Sequence, residues 1–194
     1  MNRWIALSLL LALTGCFGGT YQPDVYYALE PAPTVTAAAA SSGQTLGIRV
    51  IEAPVIYRRP MVYRDGAYRV QPYDGALWAE EPARVLTNEL TNALRASNRF
   101  ADVASATTMR MPDLLLTGAV QRFEEVREGG RVQAVCSVRI DVRQRDTGAL
   151  VYGATLEAAV PFEGVGHEAY AAAMSQAVAQ VISEAVEGIA QAGV

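Results

Sequence analysis

At 194 residues with 16 basic and 20 acidic side chains, the chain carries a formal net charge of -4. That balance argues against a nucleic-acid partner, because attraction to phosphate backbones grows with accumulated Lys and Arg. One histidine and two cysteines are too few for an N/S-type zinc site, which usually needs four ligands.

The leader has three parts in order. Asn2 and Arg3 form a short basic start, Trp4 to Leu13 an apolar run too short to span a bilayer core of ~30 Å, and Leu13-Thr14-Gly15-Cys16 closes it. The small residues at 14 and 15 suit a peptidase pocket that admits little bulk, and Cys16 supplies a thiolate for diacylglyceryl attachment. The segment resembles the signal of bacterial lipoproteins, which implies that residues 1–15 are removed and that Cys16 carries a covalent lipid. Removing them leaves 179 residues (194 less 15) and, with Arg3 gone, a net charge of -5. A chain of that length buries roughly 70% of its unfolded surface, enough for one domain without staples. Two or three acyl chains hold a protein on a membrane, at about 0.8 kcal/mol per buried CH₂, where a single chain holds it only marginally. Phe17, rather than aspartate, follows the cysteine. By the same resemblance the expected destination is the periplasmic face of the outer membrane. No later apolar run approaches the ~20 residues of a transmembrane helix.

Residues 16–24 read as a lipidated tether and 25–194 as one domain. Val25-Tyr26-Tyr27-Ala28-Leu29 is rich in aromatic and β-branched residues and predicts a strand. From Pro31 to Gln44 the composition turns to Pro, Thr, Ala and Ser, and a flexible loop is expected over 31–44. Leu46, Ile48 and Val50 alternate with Gly47 and Arg49 as a second strand. Next comes a crowded stretch holding Tyr57, Arg58, Arg59, Tyr63, Arg64, Tyr68, Arg69, Tyr73 and Trp78, in a chain only 8% aromatic. Asp65-Gly66 sits between Met61-Val62-Tyr63 and Tyr68-Arg69-Val70, and the pair suits a type I′ hairpin turn. Tyr, Trp and Arg favour strands and solubility, and they are also the residues enriched at protein–protein hot spots.

Glu80-Glu81-Pro82 opens a helix whose Leu86, Leu90 and Leu94 recur every four residues. It stops near Ser97-Asn98, and Phe100 to Val103 reads as a short strand or connector. Three long strands follow, turning at Glu128-Gly129-Gly130 and at Asp146-Thr147-Gly148. In the middle one Val132, Ala134, Cys136, Val138, Ile140 and Val142 alternate with polar residues, which predicts one dry and one wet face. Cys136 falls on the dry face, as a small buried apolar residue. From Gly166 to Ala190, Tyr170, Met174, Val178, Ile182 and Val186 mark a long amphipathic helix. The expected fold is α+β, an antiparallel sheet with two amphipathic helices packed on one face as a two-layer sandwich.

No catalytic constellation emerges. His167 stands alone at the start of the last helix, no Gly-rich phosphate loop follows a strand, and Glu124 and Glu125 lie beside arginines on a strand end that reads as wet. A non-enzyme without cofactor, apart from the lipid on Cys16, is expected.

The mature chain resembles the ABC-type transport auxiliary lipoprotein family. The residues that carry the resemblance are Tyr26-Tyr27-Ala28-Leu29, Ile48-Arg49-Val50 leading into Arg58-Arg59-Pro60-Met61-Val62-Tyr63-Arg64, Trp78-Ala79-Glu80-Glu81-Pro82, and the alanine-rich last helix. The resemblance implies a non-enzymatic subunit at the outer membrane that contacts a mammalian-cell-entry (MCE) domain protein of an ABC-type intermembrane lipid transport system. On that reading Tyr57, Arg58, Arg59, Tyr63, Arg64, Tyr68, Arg69 and Trp78 are the candidate partner-binding residues. Two alternatives stay open: a periplasmic lipid carrier whose helices and sheet enclose phospholipid, and an assembly or pilot lipoprotein for an envelope channel. A carrier needs an apolar pocket of roughly 300 Å³ or more, and Ala154, Ala158, Ala172, Ala173 and Ala177 permit either a cavity or close packing.

Overall fold

One strand serves as the spine of the molecule. β6 (Leu114–Glu128) runs 15 residues and pairs antiparallel along its length with β7 (Arg131–Gln144), which pairs antiparallel with β8 (Leu150–Pro161). This is the meander that the alternation predicts. The structure, a computed structural model, describes residues 23–164 and 166–193. The expected signal peptide, Cys16 and most of the tether lie outside the described residues. Between β6 and β7, Gly129 and Gly130 both take positive φ (58° and 76°), the type I′ turn whose twist matches its flanking strands.

On its other side β6 takes parallel partners in succession. β2 (Thr45–Ile48) lies beside Leu114–Leu116, a bridge joins Glu52 to Ala119, and β3 (Pro60–Asp65) lies beside Glu125–Arg127. The chain from Thr45 to Asp65 is therefore one interrupted strand, broken by a 3-10 turn at Val55–Tyr57. Further out, β5 (Asp102–Ser105) flanks β2 in parallel, β4 (Arg69–Trp78) flanks β3 antiparallel, and β1 (Val25–Tyr27) flanks β4 in parallel. The class is α+β as expected, but the eight-stranded sheet is mixed rather than purely antiparallel. Parallel neighbours need a long connection; β2 reaches β5 only through the β3–β4 hairpin and a helix.

That helix, α1 (Pro82–Ala96), starts with proline in its first turn and buries Leu86, Leu90 and Leu94. It ends where Asn98 takes φ 51°, a left-handed conformation that asparagine tolerates. α2 (His167–Gln191) buries Tyr170, Met174, Val178, Ile182 and Val186 along one stripe. Both stripes join the inward side chains of the sheet, among them Leu46, Leu116, Val138 and Ile140, in one core. Small residues bring α2 close to the sheet. Ala158, Ala173 and Ala177 are buried there, Ala172 is exposed, and a Cβ on Gly188 would lie 2.5 Å from the Tyr152 hydroxyl. Cys136 is fully buried, and burial pushes its thiol well up.

Two local expectations change. The Asp65-Gly66 hairpin forms, but its loop is three residues long, between paired Asp65 and Arg69, and only Gly66 (φ 75°) takes a positive φ; a type I′ turn needs two. Residues 31–44 contain neither helix nor strand, yet they are fastened as an extended strap. The Glu30 and Thr34 amides donate to the Ser175 and Ser183 hydroxyls of α2 at 3.0 and 2.9 Å. The Ala38 and Ser42 amides donate to the Ser97 and Arg99 carbonyls, each at 2.8 Å. Tyr27, Leu29, Pro31, Pro33 and Val35 are half-buried in alternation, the period-2 burial of an extended chain lying on a surface.

Candidate docking interface

The candidate residues sit on β3, β4 and the 3-10 turn, and the structure divides them among two sheet faces and a loop tip. The cause lies in β6. Its register shifts between Val120 and Arg122, a β-bulge that changes which side chains face the helices. Before it Leu114, Leu116 and Val120 point into the core; after it Phe123 does, packed edge-on to Trp78 at 5.6 Å. The shift sends Glu125 to the helix face and Glu124 to the opposite one.

Glu124 is fully buried on the face without helices and accepts from three side chains. Tyr57 donates its hydroxyl at 2.8 Å, Arg64 donates Nε at 2.6 Å and Nη2 at 3.1 Å, and Arg122 donates Nε at 3.0 Å. Arg64 also donates Nη1 to the Ala67 carbonyl at 3.1 Å, tying the hairpin loop to the sheet. Burial pushes the Glu124 carboxyl up, but the Arg64, Tyr57 and Arg122 donors outweigh it and hold the group below the usual carboxylate range. Burial and the adjacent Glu124 push the Tyr57 phenol up to about 12.

Glu125, 5% exposed on the helix face, anchors a parallel arrangement. Tyr73 donates its hydroxyl to it at 2.7 Å and Arg127 donates Nε at 2.6 Å; Arg127 also donates to the Tyr73 hydroxyl. The Arg127 guanidinium lies 4.6 Å from the Tyr63 ring centre and 5.6 Å from that of Tyr73, within cation–π range. Tyr73 meets His167 edge-on at 4.4 Å, and the Tyr170 hydroxyl donates to the Val62 carbonyl at 3.1 Å, joining α2 to the hairpin. Burial and Glu125 push the Tyr73 phenol well up.

Placement therefore revises the candidate patch. Trp78 and Tyr57 are buried in the fold and present no surface to a partner, and Tyr63 and Arg64 are half-buried on opposite faces as parts of the two braces. Arg58, Arg59, Tyr68 and Arg69 are exposed, Tyr68 by 98%. Sequence reasoning missed Glu124, Glu125, Arg122 and Arg127 as organisers and took the glutamates for wet residues. The signal was present: in Leu114-Leu115-Leu116-Thr117-Gly118-Ala119-Val120-Gln121-Arg122-Phe123 the apolar phase slips by one between Val120 and Phe123. His167 is half-buried against Tyr27 and Tyr73.

Among the described residues no group of three or more His, Cys, Asp or Glu could hold a metal, and no helix is long and apolar enough to cross a membrane. A surface groove of about 550 Å³ between the start of the strap and α2 is shallow and includes Glu30, Glu168 and Gln176. The space between helices and sheet is filled by their own side chains.

The described residues form a two-layer α+β domain whose tyrosine-rich hairpin is braced by buried carboxylates. The chain belongs to the family described as the ABC-type transport auxiliary lipoprotein component, whose model matches residues 27–186. The fold is similar to the crystal structure of protein XCC0632 from Xanthomonas campestris, of the DUF330 family, with 26% identity, a TM-score of 0.77, and 87% of this chain and 96% of that one covered. It is also similar to an uncharacterized protein of known structure, at 18% identity and a TM-score of 0.63 over 89% of this chain and all of that one. The hypothetical protein CT253 from Chlamydia trachomatis shares the fold at 10% identity, with a TM-score of 0.50 over 77% of this chain and 99% of that one. No curated protein matches the chain in sequence. Membership points to an envelope location, a transporter system as partner and an auxiliary part in it.

Proposed function

We propose that the chain is a non-enzymatic docking subunit, anchored in the outer membrane by lipid on Cys16, that meets an MCE-domain protein of an ABC-type intermembrane lipid transport system. The observation that supports this reading is the pairing of a filled core with a rigidly braced hairpin. Buried carboxylates hold β3 and β4 from both faces of the sheet, so the tip carrying Tyr68 and Arg69 is presented with little freedom to lose. A loop held in place by such braces and carrying exposed Tyr and Arg side chains suits an interface hot spot. A lipid carrier would instead need an enclosed apolar space, and the leucines, valines and alanines of α1, α2 and the sheet occupy that position.

Detergent pull-down of the full-length lipidated protein from its own envelope, with mass spectrometry of proteins and lipids, tests the proposal. Recovery of an MCE-domain protein that disappears in Tyr68→Ala/Arg69→Ala is the expected result. Stoichiometric phospholipid without that partner would overturn it in favour of a carrier.

A further inference from the structure

Two of the four exposed residues of the predicted patch, Arg58 and Arg59, do not sit at the hairpin tip. They lie at the base of the hairpin, just after the 3-10 turn, where Pro60 pairs with Leu77 and where β1 ends beside Trp78. The Arg59 guanidinium lies 5.8 Å from the Tyr26 ring centre. In the same turn Val55 is 74% exposed and Ile56 36%, while their neighbour Tyr57 is held down on Glu124. A surface turn that buries its polar residue and exposes two aliphatic ones inverts the usual arrangement, and grouped exposed apolar residues mark interaction sites. Neither arginine has an acidic partner within 4.0 Å among the described residues, although Arg58 shares a groove with Glu52 and Glu81.

We propose that the surface formed by Tyr26, Val55, Ile56, Arg58 and Arg59 rests on the anionic phospholipid surface of the membrane that carries the anchor. Aliphatic side chains, an amphipathic tyrosine ring and unpaired arginines are the chemistry of a membrane interface, where aliphatics enter the acyl boundary and cations meet phosphate headgroups. Chain length agrees. Seven residues separate Cys16 from Asp24, the last residue before β1, and at ~3.5 Å each they reach no further than about 28 Å. The anchor therefore holds the whole hairpin within reach of the bilayer, and the side-chain chemistry of the patch selects this end. The tip, six residues of strand away and so about 20 Å distant, remains available to a partner. The inference rests on the lipid anchor of the proposed function and adds the orientation of the domain.

The test uses full-length lipidated protein in vesicles of phosphatidylethanolamine with phosphatidylglycerol and a nitroxide-labelled lipid. A fluorophore is placed at Val55→Cys or, as control, at Asp146→Cys in the β7–β8 turn; Cys136 is buried and does not compete for label. The label at 55 is expected to be quenched about threefold more than that at 146. Each arginine near an anionic surface favours contact about fivefold, so Arg58→Glu/Arg59→Glu should lower quenching at 55 to the control level. Equal quenching at both positions in floating vesicles overturns the contact while leaving the anchor standing. Quenching at 55 that survives charge reversal, or that is unchanged in phosphatidylcholine, overturns the anionic surface as its cause. A chain that does not float with the vesicles overturns both anchor and contact.

Discussion

Glu124 shows how one side chain fixes a region. A buried carboxylate is tolerated only with partners, and removing one leaves an uncompensated charge. Arg64→Ala should lower stability by about 3 kcal/mol, read as a fall in the urea midpoint. Arg69→Ala, which loses only an exposed pair with Asp65 at 3.0 Å, should cost less than about 0.5 kcal/mol; equal losses would deny the brace its role. The pH dependence follows from the signs. The depressed folded-state pKa of Glu124 contributes stability above its unfolded value of about 4.3, lost as pH falls through the lower folded value. Tyr57 is the reverse case: its contribution is complete below about 10, the unfolded value, and is lost as pH rises toward the folded value of about 12. Stability of the wild type should therefore decline between those two alkaline values, and Tyr57→Phe should flatten that decline. Neither carboxylate could be placed from composition, because alternation assigns a face only when the strand is read through its bulge.

At the level of elements, periodicity was informative wherever a stripe or an alternation ran long. The Leu86/Leu90/Leu94 helix, the Tyr170 to Val186 helix and the β6–β7–β8 meander follow from 3.6- and 2-residue repeats. Pairing direction did not follow, since β2 and β3 alternate identically whether their neighbour is parallel or antiparallel. The 31–44 strap misled for another reason: proline, alanine and threonine describe flexible linkers, and the serines that fasten this one lie about 145 residues later in the chain. Ser175→Ala removes the acceptor for the Glu30 amide. It should speed hydrogen exchange at Glu30 while changing global stability by about 1 kcal/mol or less. Unchanged exchange at Glu30 would mean the strap is held elsewhere.

As a whole molecule, the domain places its filled core, strap and two helices on one side of the sheet and leaves the other side to a polar brace and an exposed turn. Family membership was legible in the sequence because its motifs are ordered along the entire chain, from Tyr26-Tyr27 through Arg58-Arg59 to the alanine-rich helix. The surface exposure of the candidate patch was only half legible. Tyr, Arg and Trp were correctly seen as concentrated, but burial, which decides whether such residues face a partner or a core, is set by the bulge in β6 and the turn over Glu124. The most direct measurement of the docking account is site-specific photocrosslinking in intact envelopes, with a photoreactive residue replacing Tyr68. The account predicts a crosslink to an MCE-domain protein, absent when the reactive group stands at Asp146. Crosslinks to lipid alone from position 68, with no protein adduct, would contradict it.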